Sequence, residues 1–262
     1  MILSTRHIIA QKVADEFRGQ VARTHSDMVS YPLRYLNLQI ALSEHFRVIV
    51  HEIPDMTVQK VVAELRSFGF RLSPESYDKY LNLAGLFYAA GDAVIIFIER
   101  RDSEERKKFT LSHEISHFLN EYFRMKLKRK GYGTLSLFEP SQSGDHAVVA
   151  KRCSKRDVFS SVLGEPEPDF EPRDRGVSLD QLRISYERHQ DRLKERICDW
   201  FAAELLMPVS VIKRHEHKWI EEGKSFSEIV ESVRSLFEVS WQASRIRAEE
   251  LQIGNIEESF LS

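Results

Sequence analysis

Residues 108–117 read KFTLSHEISH, and the His-x-x-x-His framed at 113–117 decides how the rest of the chain is read. On a helix of 3.6 residues per turn, His113 and His117 emerge one above the other on the same face, a bidentate arrangement for a metal ion. Neutral imidazole nitrogens suit Zn²⁺, and Glu114, one position along, reaches the site from the side as a general base for an activated water. A plainer alternative is a solvated helix turn in which Glu114 joins a local charge pair. The flanks argue against it. Phe109, Ile115, Phe118 and Leu119 place apolar residues on both sides of the histidines, and a buried histidine pair needs partners for its polar nitrogens.

Two imidazoles do not hold a catalytic zinc, so a third protein ligand is expected downstream, with a fourth position left for water. Residues 195–208, ERICDWFAAELLMP, supply it. Glu195 and Asp199 are four apart and share one helix face, so Glu195 can bind the metal while Asp199 accepts the ring N–H of a liganding histidine. Glu204 is the rival ligand, but nine residues at about 100° each place it roughly opposite Glu195 on the helix. A surface pairing of Glu195 with Lys194 or Arg192 is the default in so charged a chain. The run from Trp200 to Met207 is too apolar for a surface helix, however, and carboxylates carried inward must be paired or ligate metal.

Working outward, residues 86–99, LFYAAGDAVIIFIE, form two β-rich runs around Gly91-Asp92 and read as a hairpin with its second strand at 94–98. A long helix is expected over 103–128. Upstream, apolar spacing predicts helices over 8–23, 32–46 and 57–69, the last stopped by Gly69, with a short strand at 46–52. Residues 124–156 are rich in Lys and Arg and carry glycine and proline breakers, and 157–176 add acids and three prolines. We therefore treat 129–176 as an insertion with the composition of a mobile surface excursion. Helical periodicity returns at 178 behind an S-x-x-Q capping box and runs to Met207, as one helix or two, with Pro208 ending it or opening the next segment. Two short helices follow in 225–253, separated near Val239-Ser240, the first opened by Ser225 or Ser227.

The 262 residues carry 38 Lys and Arg against 40 Asp and Glu, with 42% apolar residues. That composition supports a packed core and excludes collagenous, low-complexity and disordered classes. A formal charge of −2 removes the general basic excess of a dedicated nucleic-acid binder, and the acidic balance of 213–262 argues against a DNA-reading helix pair at 225–251. The two cysteines, Cys153 and Cys198, build neither a disulfide framework nor a four-thiolate site, and a reducing compartment fits. No stretch approaches the roughly 20 apolar residues of a membrane span, and the N-terminus lacks an uninterrupted apolar signal region, so a cytoplasmic protein is expected.

The block KFTLSHEISH at 108–117, followed in order by ERICDWFAAELLMP at 195–208, resembles the ImmA/IrrE metallopeptidase family. Phe237-Glu238-Val239-Ser240 and the 247–251 segment are similar to that family's C-terminal helical element, and the 86–99 hairpin takes the place of its strands. The resemblance covers about 82–128 and 187–252. It implies an α+β, thermolysin-like zincin fold, with residues 1–81 as an N-terminal helical region and 82–262 as the metallopeptidase domain. It also implies one Zn²⁺ per chain held by His113, His117 and Glu195, with Asp199 behind a histidine and Glu114 as base. The implied activity is cytoplasmic cleavage of a helix-turn-helix repressor in phage, mobile-element or stress control. A non-catalytic regulatory or toxin-antitoxin-type binding protein on the same fold is the competing reading. Three departures stand out: the 78-residue step from His117 to Glu195, Ser116 in place of a usual glycine, and Cys198 in place of a usual small residue, as packing or as a redox-sensitive thiol. The strand 94–98 is expected to hold substrate as an added extended strand.

Overall fold

The computed structural model describes residues 5–23, 30–70, 79–90, 92–123, 149–154 and 179–253. Three strands from the first hundred residues build the sheet: β1 (Ile49–Ile53), β2 (Leu83–Ala90) and β3 (Ala93–Glu99), joined by β4 (Val149–Ser154). The strand order is β1-β3-β2-β4. β1 runs parallel to β3, whereas β2 is antiparallel to both β3 and β4. The near-continuous apolar run of β2 and β3 follows from burial on both faces. Phe87, Ala89, Val94, Ile96 and Ile98 join the helical core, while Leu86, Tyr88, Ile95 and Phe97 meet α3 (Val58–Ser67) on the opposite side. Burying side chains such as Phe87, Ile96 and Phe97, all at 0% exposure, contributes about 1.5–3 kcal/mol each.

Strict alternation breaks at one point in β2. The register with β4 shifts between Leu83 and Gly85, so Leu83 packs with the α3 face while Gly85 turns towards the other face. A β-bulge of this kind re-aims the chain locally. Here it brings bare backbone against the helix below: a Cβ added at Gly85 would lie 2.6 Å from both Glu114 Oε1 and Thr110 Cγ2.

That helix is α4 (Glu104–His117), started by Ser103, whose side chain accepts the N–H of Arg106. It continues as a π-helical segment, Phe118–Phe123. α4 lies between the sheet and α5 (Leu179–Leu206), and α1 (Thr5–Ala22) packs along α5. α2 (Tyr35–Ala41), itself followed by a π-helical turn, Leu42–Phe46, also rests on α4. Pro208 opens α6 (Val209–Glu221). α7 (Phe226–Phe237) begins with a full Ser225–Glu228 capping box, and α8 (Trp241–Glu250) is capped by Ser240, as the break expected near Val239-Ser240 requires.

Buried charges tie these layers together. Glu99, at the end of β3, accepts N–H groups from Asp55 (2.9 Å), Met56 (2.7 Å) and Arg101 (3.0 Å), fixing the turn after β1. Lys108 on α4 donates to the carbonyls of Phe237 (2.9 Å) and Glu238 (2.8 Å), the end of α7. Glu204 on α5 pairs with Arg247 of α8, and Arg247 also donates to Met207 O at 3.1 Å and to Glu250 at 2.8 Å.

Several sequence expectations need adjustment. β3 is paired on both sides, by β1 and β2, so 94–98 has no free edge and the expectation that it takes an added substrate strand is wrong. Nothing in the residue pattern announced β4, which falls inside the segment read as an insertion; the insertion's other residues, and Ser178 of the expected S-x-x-Q box, lie outside the described residues. Ser225 rather than Ser227 opens α7. Between 103 and 123 the helix exists, but its last turns are π-helical, and 124–128 lie outside the described residues.

Two stability measurements test this packing. Arg247→Ala strands the Glu204 carboxylate in the core, and chemical denaturation should register a loss of about 3–5 kcal/mol; a Glu204→Leu/Arg247→Met double variant should recover most of it. Gly85→Ala should cost about 1–3 kcal/mol through overpacking against Glu114 and Thr110, seen as a lower Tm, and an unchanged Tm would refute the close approach.

Candidate metal centre

α4 and α5 face one another through their polar residues. His113 and His117 are 2% and 1% exposed. The helical spacing brings their rings together with Nε2 atoms 3.1 Å apart. Glu195, from α5, places Oε2 3.2 Å from His113 Nε2 and 3.5 Å from His117 Nε2. The far nitrogens are pinned as well. His113 Nδ1 donates to Asp199 Oδ1 at 2.8 Å, and His117 Nδ1 donates to Glu121 Oε1 at 2.9 Å.

The donor set can be tested for a metal from these contacts. An ionised carboxylate only accepts, so Asp199 and Glu121 fix the Nδ1–H tautomer of both rings. Each Nε2 is then a bare acceptor turned towards the other and towards Glu195. Three acceptors at such spacing repel one another unless positive charge sits among them. A tetrahedral ion with ligands at about 2.0–2.1 Å separates its ligand atoms by about 3.3–3.4 Å, close to the 3.1–3.5 Å found here. The residues fit a metal ion.

The electrostatics carry the same demand. Burial disfavours a charged His113, yet its hydrogen bonds with Asp199 and Glu195 hold its pKa well above the ordinary histidine value. His117 is raised likewise, against burial, by Cys198, Glu121 and Glu195. Burial pulls the Glu195 carboxyl up, but the two imidazoles hold it well below the usual carboxylate range.

Glu114 sits differently. It is fully buried, and neither carboxylate oxygen has a hydrogen-bond partner among the described residues. Burial pushes its pKa up to about 7, against the pull of His117 and His113. Its Oε1 lies beneath Gly85 of β2, so the absence of a side chain there is what admits the carboxyl group. A carboxyl titrating near neutrality and unengaged by protein donors is suited to accept and return a proton.

Cys198 is buried, with Sγ 3.6 Å from His117 Nδ1. Ligand atoms of His113, His117 and Cys198 lie within 4.8 Å of one another, so these three form a possible metal cluster. The thiol, however, sits on the Nδ1 side of His117, which Glu121 already occupies, whereas Glu195 sits on the side where both Nε2 atoms converge. Geometry therefore favours Glu195 over Cys198 as the third donor. Behind His113, a cavity of about 510 Å³ between α4, α5 and α8 is lined by Phe109, Asp199, Trp200, Met207 and Ile246, and by none of His113, His117 and Glu195.

The residues singled out from sequence thus come together: His113, Glu114, His117, Glu195 and Asp199 share one site. Glu204 is turned away to Arg247. The histidines of α6 lie in other contacts: His215 stacks on Trp219 and His217 pairs with Glu221. Sequence reasoning missed Glu121 and Gly85. Glu121 was within reach, since it stands four residues beyond His117 on the same helical face. Gly85 carries no local signal, because its partner is 29 positions away in the chain.

Residues 68–134 match the model of peptidase family M78, the IrrE N-terminal-like domain. No curated protein matches the chain. The matched span contains the hairpin, α4 and the π-helical segment, hence His113, Glu114, His117 and Glu121, and it ends before α5. No described helix is long and apolar enough to cross a membrane. The motif at 113–117 and the α+β layering around α4 accord with that match, so residues 68–134 are similar to the IrrE N-terminal-like domain of peptidase family M78.

Proposed function

We propose that the chain is a zinc-dependent endopeptidase whose metal is held by His113, His117 and Glu195. The reading is carried by one observation, the convergence of two bare imidazole nitrogens and a carboxylate oxygen at 3.1–3.5 Å. Nitrogen and oxygen donors at tetrahedral spacing suit Zn²⁺. When bound, such an ion supplies Lewis-acid polarisation of a peptide carbonyl and lowers the pKa of a water to near neutrality.

The chain's own groups do the rest. Asp199 and Glu121 hold the Nδ1 protons, orient the rings and make both imidazoles stronger donors. Glu114 takes the proton of the attacking water on a carboxylate oxygen and delivers it to the departing amine, so that one group serves as base and then as acid. Burial of both histidines keeps bulk water from competing with these contacts. The substrate we infer is a cytoplasmic protein, and the resemblance to the ImmA/IrrE family supports a helix-turn-helix repressor as its class, in phage, mobile-element or stress regulation.

Metal content by mass spectrometry, on protein purified without chelators or affinity metal, tests the centre. About one zinc per wild-type chain is expected, with loss in His113→Ala and Glu195→Ala and a 10- to 100-fold weaker affinity in Asp199→Asn. Glu114→Gln should keep its metal and lose roughly 10²- to 10⁴-fold in cleavage rate. A wild type that refuses added zinc would end the peptidase reading, and a fully active Glu114→Gln would remove Glu114 from its role.

A further inference from the structure

The sheet presents an arrangement that the metal centre alone does not explain. β2 is the strand that touches the base, because Gly85 lies directly over Glu114. On one side β2 is closed by β3. On its other side, where a peptide strand could be added, lies β4, antiparallel, with Gly85 opposite Cys153, Leu86 opposite Arg152, Phe87 opposite Lys151, Tyr88 opposite Ala150 and Ala89 opposite Val149. Adjacent strands are spaced about 4.8 Å apart. The backbone around Cys153 therefore runs one strand spacing from the glycine that roofs Glu114. The bulge between Leu83 and Gly85 falls at this same point.

An extended peptide gains most of its affinity on a sheet edge from main-chain hydrogen bonds, and one edge takes one strand at a time. With β3 enclosed, the outer side of β2 is the edge nearest the base, and a segment of the chain itself already fills it. We propose that β4 is a self-strand that occupies the extended-peptide site beside Glu114, so that a substrate must displace it before cleavage. The inference rests on the peptidase reading above and goes beyond it by naming an internal competitor for the substrate. The occupied edge also leaves β2 with no unpaired row open to adventitious strand pairing. The segment 149–154, VAKRCS, is thus both a protective edge and a brake.

Release of the strand is tested in the full-length, zinc-loaded chain with Lys151→Pro/Arg152→Pro. In an antiparallel pair one of any two adjacent residues turns its N–H to the partner, so this substitution removes pairing whichever residue it is. The probe is a fluorescein-labelled synthetic peptide of residues 147–156, AVVAKRCSKR, kept reduced, with binding read by anisotropy. We expect the double-proline chain to bind it at least about tenfold more tightly than wild type, a difference of about 1.4 kcal/mol, and amides of 85–89 to exchange faster in that chain. Equal binding by both chains, or no binding by the variant, would overturn the proposal. If the prolines unfold the sheet, replacing 149–154 with alternating Gly and Ser provides the same comparison at constant chain length. Cleavage of unstructured β-casein is measured in parallel and should rise in the variant. The binding assay is repeated in Glu114→Gln, where the same discrimination is expected. Failed peptide discrimination with intact metal and cleavage sinks the self-strand, whereas preserved discrimination without metal or cleavage sinks the peptidase reading.

Discussion

Two carboxylates hold the molecule's central constraint. Asp199 and Glu121 accept the Nδ1 protons of His113 and His117, and this leaves the two Nε2 lone pairs facing each other beside Glu195. Such a cluster of acceptors is costly in a buried site unless a cation joins it. The rest of the fold serves to hold it in place. α4 is pressed between the sheet and α5, and Lys108, itself buried, anchors that helix to the end of α7 through two carbonyls. Burial pushes the Lys108 ammonium below its ordinary pKa, so those carbonyls and the nearby glutamates have to compensate for lost water.

Three of the carboxylates on the facing helices, Glu195, Glu114 and Glu204, show how environment divides labour among chemically identical groups. Glu195 is held ionised by two imidazoles. Glu114, buried beneath Gly85 with no hydrogen-bond partner among the described residues, is pushed up by burial to about 7. Glu204 is also raised by burial, with Arg247 and Arg18 opposing the rise, and its place between α5 and α8 makes it a structural tie. Residue type decides none of these differences; they follow from which neighbours the helices present.

Much of the fold was legible in the chain. Gly69, with φ of +87°, stops α3 as its position after a helical run suggested, and Thr57 caps that helix through Lys60 N–H. The hairpin around Gly91-Asp92 and the helix break near Val239-Ser240 were likewise local signals. The π-helical segments were not legible, since an extra residue per turn leaves no mark in an apolar pattern this short. β4 was hidden for another reason. VAKRCS has neither alternation nor an apolar run, and it becomes a strand because β2 offers it an edge.

By itself, the sequence determined which polar groups share a helix face. The four-residue spacings His113–His117 and Glu195–Asp199 follow from helical periodicity, so any helix built from these segments carries those groups on one face. The tertiary structure decided which of several acidic residues completes the site, and what lies beside it. Glu195 meets the imidazoles while Glu204 finds Arg247, because α5 docks on α4 with one face only. Gly85 roofs Glu114, and β4 lies along β2, through contacts between segments far apart in the chain. Helical spacing is a local property that the backbone enforces residue by residue, whereas the choice of partner across a packed interface depends on how whole elements come to rest against one another.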